Sequence, residues 1–118
     1  MITRTMVWCS TSFIAYHRWR DAPEPVAFLR DFHRHVFHVK VMVEVSHGDR
    51  DIEFIMLKRE LDNYLKVNFA ERQFDLSCEQ IALILLREYK ASMVEVSEDG
   101  ENGARVIQYG QEPSSSPT

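Results

Sequence analysis

The chain has little cysteine, no long apolar run and no basic tract, and each absence removes a class of protein. Cys9 and Cys78 are its only cysteines, match no Cys-x-x-Cys pattern and are too few for a disulfide framework. Each reads as a buried thiol rather than as a ligand or nucleophile. No apolar stretch approaches the length of a membrane span, so no membrane partner is expected. The opening Met1-Ile2-Thr3-Arg4-Thr5-Met6 lacks a signal-peptide core, which makes the cytoplasm the expected location. With no basic run and a pI of about 5.7, nucleic acid is not an expected partner. Internal repeats are absent too.

What is present fits one soluble domain. The 118 residues suffice for a single modest core, and a content of 45% hydrophobic and 27% charged residues is that of a globular protein. Residues 1–110 are expected to form that domain. Residues 111–118, with Pro113, Ser114-Ser115-Ser116 and Pro117, are expected to be a disordered tail. The net charge of −4 hides an asymmetry. Residues 1–50 hold seven Lys/Arg against five Asp/Glu, and residues 51–118 hold seven against thirteen. The basic half also contains all five histidines, with Arg18, Arg20, Arg30 and Arg34 close to three of them. That clustering suits an anionic small molecule.

Along the chain, residues 5–17 read as a first strand, with Ser10-Thr11-Ser12 marking a bulge or bend. Residues 18–30 read as a loop in which Pro23 and Pro25 exclude a helix through Ala22–Pro25. Residues 31–46 form a second strand, where Val39, Val41, Val43 and Val45 alternate. Phe54, Leu57, Leu61, Tyr64, Leu65 and Asn68 recur at helical spacing. The pattern breaks over Asn68–Leu76. A second helix starts at Ser77, with Gln80 at capping-box spacing. Ala91–Glu98 and Ala104–Tyr109 read as a hairpin about the turn Asp99–Gly103. The order is ββααββ, so the expected fold is α+β: a four-stranded antiparallel sheet with two helices on one face. Its two open edges favour association of chains edge to edge into a closed ring.

One spacing stands out. In a strand, residues i and i+2 share a face roughly 6–7 Å apart. His33 and His35 therefore point the same way, and His17 ends the preceding strand at matching parity. Three imidazoles on paired strands can hold a tetrahedral Zn²⁺ and leave its fourth position for water, the arrangement of a catalytic zinc. An exposed, solvated H-x-H pair is the alternative, and it would be the better reading without His17. His38 has the opposite parity, and His47 lies in a turn. Asp31 stands one strand step before His33. Asp31 and Glu24 are the carboxylates that could handle a proton, although one beside zinc more often supports a ligand.

Several ordered motifs resemble the family of 6-pyruvoyltetrahydropterin synthase and 6-carboxytetrahydropterin synthase. The resemblance covers roughly residues 10–110. The family's Phe-x-Ala-x-His appears as Phe13-Ile14-Ala15-Tyr16-His17. Its His-Gly-His, followed by x-aromatic, appears as His33-Arg34-His35-Val36-Phe37. Its Asp-Phe-x-x-Leu-Lys appears as Glu53-Phe54-Ile55-Met56-Leu57-Lys58, its Pro-Thr-x-Glu as Leu76-Ser77-Cys78-Glu79, and its Val-x-Glu-Thr as Val96-Ser97-Glu98-Asp99. The resemblance implies the tunnelling fold, with trimers that close a barrel and stack into hexamers. It implies zinc on His17, His33 and His35, and Glu98 holding a pterin by its amino-pyrimidine edge.

Two departures bear on chemistry. Leu29 stands where the family has its catalytic Cys, four residues before the first His of His-x-His. The family's Leu-Asp-His-x-x-Leu-Asn, source of its Asp–His relay, is missing; Asn68-Phe69-Ala70-Glu71-Arg72-Gln73-Phe74-Asp75 contains no His. Two functions stay open. The chain is a divergent zinc protein acting on a pterin or related nucleotide-derived ligand, and if active a zinc-dependent lyase of the pterin synthase type. Otherwise it is a non-catalytic module that binds or sequesters a pterin, purine or nucleotide. If proton chemistry survives, Asp31 is the candidate catalytic group.

Overall fold

The computed structural model describes residues 1–110, and the tail expected over 111–118 lies outside the described residues. Strands β1 (Thr5–His17) and β2 (His33–Val45) run antiparallel. Their register holds from Thr5 opposite Val45 to His17 opposite His33 without a slip. The bulge expected at Ser10-Thr11-Ser12 is therefore absent. Ser10 and Ser12 lie on the exposed face, and the Thr11 hydroxyl donates to Asp62, so the polar run fits a regular strand.

The sheet has five strands and is mixed, where the sequence predicted four antiparallel ones. Its order is β3-β1-β2-β4-β5. The hairpin is there, as β4 (Met93–Glu98) and β5 (Asn102–Ile107). The added strand, β3 (Gln73–Phe74), runs parallel to β1 beside Tyr16 and His17. Two residues carry no periodicity, so no sequence pattern marks them. The segment before β2 also differs. Glu24–Arg30 forms a 3-10 helix, kinked at Val26, within the expected loop. Pro25 sits in its first turn, where the missing N–H would have had no partner anyway.

Two helices cover one face. Helix α1 (Phe54–Asn68) begins at Glu53, whose carboxylate accepts from Ile55 N at 2.9 Å and Met56 N at 3.0 Å. Helix α2 (Cys78–Tyr89) carries the capping box: Ser77 Oγ accepts from Gln80 N at 3.1 Å, and Ser77 N donates to Gln80 Oε1 at 2.9 Å. Leu57, Leu61 and Leu65 of α1, with Ile81, Ala82, Leu85 and Leu86 of α2, are buried against the inward face of the sheet. That face presents Cys9, Phe13, Phe37, Val39, Val41, Val43, Val94 and Val96. Full burial of a Leu, Val or Phe contributes about 1.5–3 kcal/mol, so this layer dominates stability. Toward the end of β1 the layer becomes aromatic, with Phe13 stacked on Phe37 at 5.1 Å and Phe74 5.9 Å from Phe37. The histidines begin where it stops.

Gly103, beside that end of the sheet, is a tight point. A Cβ there would lie 2.4 Å from the Val96 carbonyl oxygen and 2.7 Å from the Ser97 Cα, both backbone atoms that cannot swing aside. Gly103→Ala should destabilise the fold by about 1–3 kcal/mol, the usual range for overpacking. Gly48→Ala, with nothing within 4 Å of the added carbon, should cause no loss. Urea denaturation of both variants beside wild type checks the contrast.

Candidate metal centre

The β1–β2 register builds the centre. His17 lies directly opposite His33, and His35 lies opposite Ala15, one pleat further along the same face. Ala15 is fully buried and small, which leaves room for the rings around it. Glu98 ends β4 opposite Phe37 and adds a carboxylate from the third strand. The ring centroids of His17 and His33 are 4.6 Å apart, those of His33 and His35 4.9 Å, and those of His17 and His35 5.4 Å. One donor atom from each of His17, His33, His35 and Glu98 lies within 4.8 Å of all the others.

Each imidazole is held from behind through Nδ1. The His17 Nδ1 is 2.9 Å from the Leu76 carbonyl oxygen, and the His33 Nδ1 is 2.9 Å from the Asp31 carbonyl oxygen. The His35 Nδ1 is 2.6 Å from Asp99 Oδ2. A carbonyl oxygen only accepts, as does an ionised carboxylate, so in each pair Nδ1–H is the donor. In a neutral ring Nε2 then carries a lone pair. Fixing the tautomer this way is how proteins orient histidine ligands. Burial pushes the His17 pKa below its ordinary value, against the pull of the Leu76 carbonyl and Glu98. Asp99 is anchored in turn by the Val36 N–H at 2.9 Å. That bond, followed by the His35 contact, lowers its carboxyl pKa.

The result is a convergence of acceptors. The His17 Nε2 is 2.8 Å from Glu98 Oε2, and the His35 Nε2 is 3.5 Å from Glu98 Oε1. The His33 Nε2 is buried with no hydrogen-bond partner among the described residues. A buried acceptor without a donor is costly. A divalent cation that takes nitrogen and oxygen ligands, such as zinc, would satisfy all four groups together, and the donor set fits it.

His17, His33 and Glu98 line a cleft of about 760 Å³, together with Arg18, Trp19, Leu29, Leu76 and Cys78. The Arg18 Nε donates to Asp75 Oδ1 at 2.9 Å, and its guanidinium lies over the Phe32 ring at 4.3 Å. The Arg20 Nε pairs with the other Asp75 oxygen at 3.0 Å. Leu29, from the 3-10 segment, gives the wall an aliphatic side chain. Cys78, the first residue of α2, carries a buried thiol and lines the same space. Burial, reinforced by Glu98 and Glu79, pushes that thiol up to about 12, so it stays protonated near neutral pH.

His17, His33, His35 and Glu98 are thus brought together. Asp31 meets the centre through its backbone carbonyl, and its residue is exposed. Glu24 opens the 3-10 segment, exposed. His38, opposite Ser12 and Ser97, lies on the outer face as its parity predicts, and so does Arg34, opposite Tyr16. His47 is exposed, 3.8 Å from Asp51. The Arg30 Nε donates to the Ala22 carbonyl at 2.7 Å, a contact that holds the loop. Sequence reasoning missed three contributors: Asp99, the Leu76 carbonyl and the Cys78 wall. For Asp99 a signal existed, a carboxylate one residue beyond Glu98 at the start of the turn Asp99–Gly103. The other two depend on how β3 and α2 meet β1.

No protein-family model and no curated protein sequence matches the chain. Solved structures do match it in shape. The uncharacterized protein WS1659 from Wolinella succinogenes superposes with a TM-score of 0.79 at 14% identity, covering 92% of this chain and 100% of that one. The 6-pyruvoyl tetrahydropterin synthase of Caenorhabditis elegans superposes with a TM-score of 0.68 at 15% identity, covering 92% of this chain and 98% of that one. At such identities the likeness is one of fold: this chain has the tunnelling fold of a 6-pyruvoyl tetrahydropterin synthase, with a His17/His33/His35/Glu98 cluster that could hold a metal ion.

Proposed function

We propose that the protein is a divergent pterin-synthase-like zinc protein that takes a flat pterin, purine or related nucleotide-derived ligand into the cleft beside His17, His33 and His35. The carrying observation is the buried, partnerless Nε2 of His33 within a set of acceptors already turned to one point. Zinc bound there would act as a Lewis acid. The chain itself supplies the three oriented imidazoles, the Glu98 carboxylate to accept from an N–H/NH₂ edge, and half-exposed Trp19 as an aromatic wall. Charged hydrogen bonds to such an edge contribute roughly 1.5–3 kcal/mol each.

The non-catalytic reading, a module that holds or sequesters such a ligand, is favoured by Leu29. An aliphatic side chain lines the cleft at the position that in the related enzymes carries the catalytic thiol. The Cys78 thiol, held protonated, is a poor base. General acid–base groups contribute about 10²–10⁴-fold each. Lyase turnover of 7,8-dihydroneopterin triphosphate should therefore stay near background, and turnover at rates typical of the related enzymes would overturn the non-catalytic reading. We further propose a homo-trimer or homo-hexamer. Among the described residues, β3 pairs only with Tyr16 and His17, which leaves most of the outer edge of β1 open, as is the outer edge of β5.

Native mass spectrometry of the purified, zinc-supplemented protein should give a trimer or hexamer with one zinc per chain. His33→Ala should lose the metal. A metal-free monomer would sink both statements.

Calorimetric titration with pterin, guanine and adenine compounds tests the ligand. Glu98→Gln places a donor against a donor and should weaken binding by about one to three orders of magnitude, at 1.4 kcal/mol per decade. Equal binding by the variant, or none by wild type, removes Glu98 from ligand recognition.

The pH response follows from His17. Its folded pKa is lowered, so the unfolded chain takes up the proton first. The contribution of neutral His17 is complete above its unfolded value of about 6.5 and is lost as pH falls below that. Thermal melts of the chelator-treated protein should show stability declining from about pH 6.5 downward. The decline should be shallower in His17→Gln. Parallel profiles for the two proteins would contradict the assignment.

A further inference from the structure

Three imidazoles alone would leave a tetrahedral metal with one open position, but the carboxylate of Glu98 already stands among them. Its Oε2 is 2.8 Å from the His17 Nε2, and its Oε1 is 3.5 Å from the His35 Nε2. With the His17 Nδ1–H committed to the Leu76 carbonyl, the His17 Nε2 and Glu98 Oε2 meet as acceptor against acceptor. A positive species between them removes that repulsion. A shared proton would serve His17 and Glu98 but would leave the His33 Nε2 buried and unmatched. A single cation serves all of them. Glu98 is also held in place: it is the last residue of β4, its backbone is registered between Phe37 and Asn102, and the following Asp99 is tied to the Val36 N–H and to His35.

From this we infer that Glu98 is the fourth protein ligand of the metal in the ligand-free protein, which closes the centre at rest. The inference rests on the metal reading above and changes its character: the three-histidine centre is not open to water or small anions until Glu98 is drawn away. A heterocycle that offers an N–H/NH₂ edge is the kind of molecule that would draw it away, since a carboxylate oxygen engaged by that edge is withdrawn from the metal. Ligand recognition and opening of the metal would then be one event carried by one side chain.

Cobalt(II) serves as the probe, because its visible bands report coordination directly. The full chain would be loaded with Co²⁺ and titrated with azide, for wild type, Glu98→Gln and Glu98→Ala. The wild-type spectrum should be unmoved by azide. Glu98→Ala should bind Co²⁺ more weakly, on the order of 10–100-fold or more, the range already seen when only supporting partners of metal ligands are removed. Its bands should shift on addition of azide. Circular dichroism of each variant establishes that it is folded, and the wild-type azide titration needs no variant at all. A wild-type spectrum that shifts with azide, or equal Co²⁺ affinity in Glu98→Ala, overturns the inference while leaving a three-histidine metal site intact. Failure of wild type to bind Co²⁺ or Zn²⁺ at all overturns the metal reading and the inference with it.

Discussion

The unbroken antiparallel register of β1 on β2 is the constraint on which everything else depends. Because Thr5 faces Val45 and no residue is inserted over thirteen pairs, His17 must face His33. The alternation of side chains then sends both rings, and His35, to the face that the helices cover. A one-residue slip would turn the whole set to the outer face. The apolar residues on that face, Cys9, Phe13 and Ala15 from β1 and Phe37, Val39, Val41 and Val43 from β2, resist such a slip because every one of them would be expelled from the core. The candidate centre is in this sense a by-product of core packing. The hydrophobic energy that fixes the register also fixes the imidazoles.

Orientation comes from a second layer of contacts, and these are polar. Leu76, Asp31 and Asp99 each take one Nδ1–H, and each belongs to a different part of the chain. Leu76 is delivered by the segment between β3 and α2, Asp31 by the link from the 3-10 segment to β2, and Asp99 by the β4–β5 turn. The short parallel strand β3 packs Phe74 against Phe37 and ties the Leu76 segment alongside the end of β1. A centre oriented by three separate loops is pre-organised without being rigidly buried, which suits one that must exchange contacts with a small molecule.

Much of this was legible in sequence. A period of two is the simplest pattern a chain can carry, and it placed His17, His33 and His35 on one face and His38 on the other. Helix α2 was readable from Ser77 and Gln80, because a capping box is a local device. The polar run Ser10-Thr11-Ser12 misled, since its effect depends on Asp62 of α1, distant in sequence. Strand β3 and the 3-10 turn were missed because two residues, or one kinked turn, generate no periodicity. Asp31 was read through its carboxylate, whereas its contact with His33 is made by the main chain, which no side-chain pattern reveals. Cys78 was rightly read as buried, but the same burial faces a cleft, a distinction only tertiary structure supplies.

X-ray absorption spectroscopy of the zinc-loaded, ligand-free protein tests the central claim most directly. Three histidines and Glu98 predict a nitrogen/oxygen shell at about 2.0–2.2 Å, with outer-sphere scattering from three imidazoles and no sulfur. A sulfur shell at about 2.3 Å would instead put Cys78 on the metal. That result, or scattering from fewer than three imidazoles, would contradict the account.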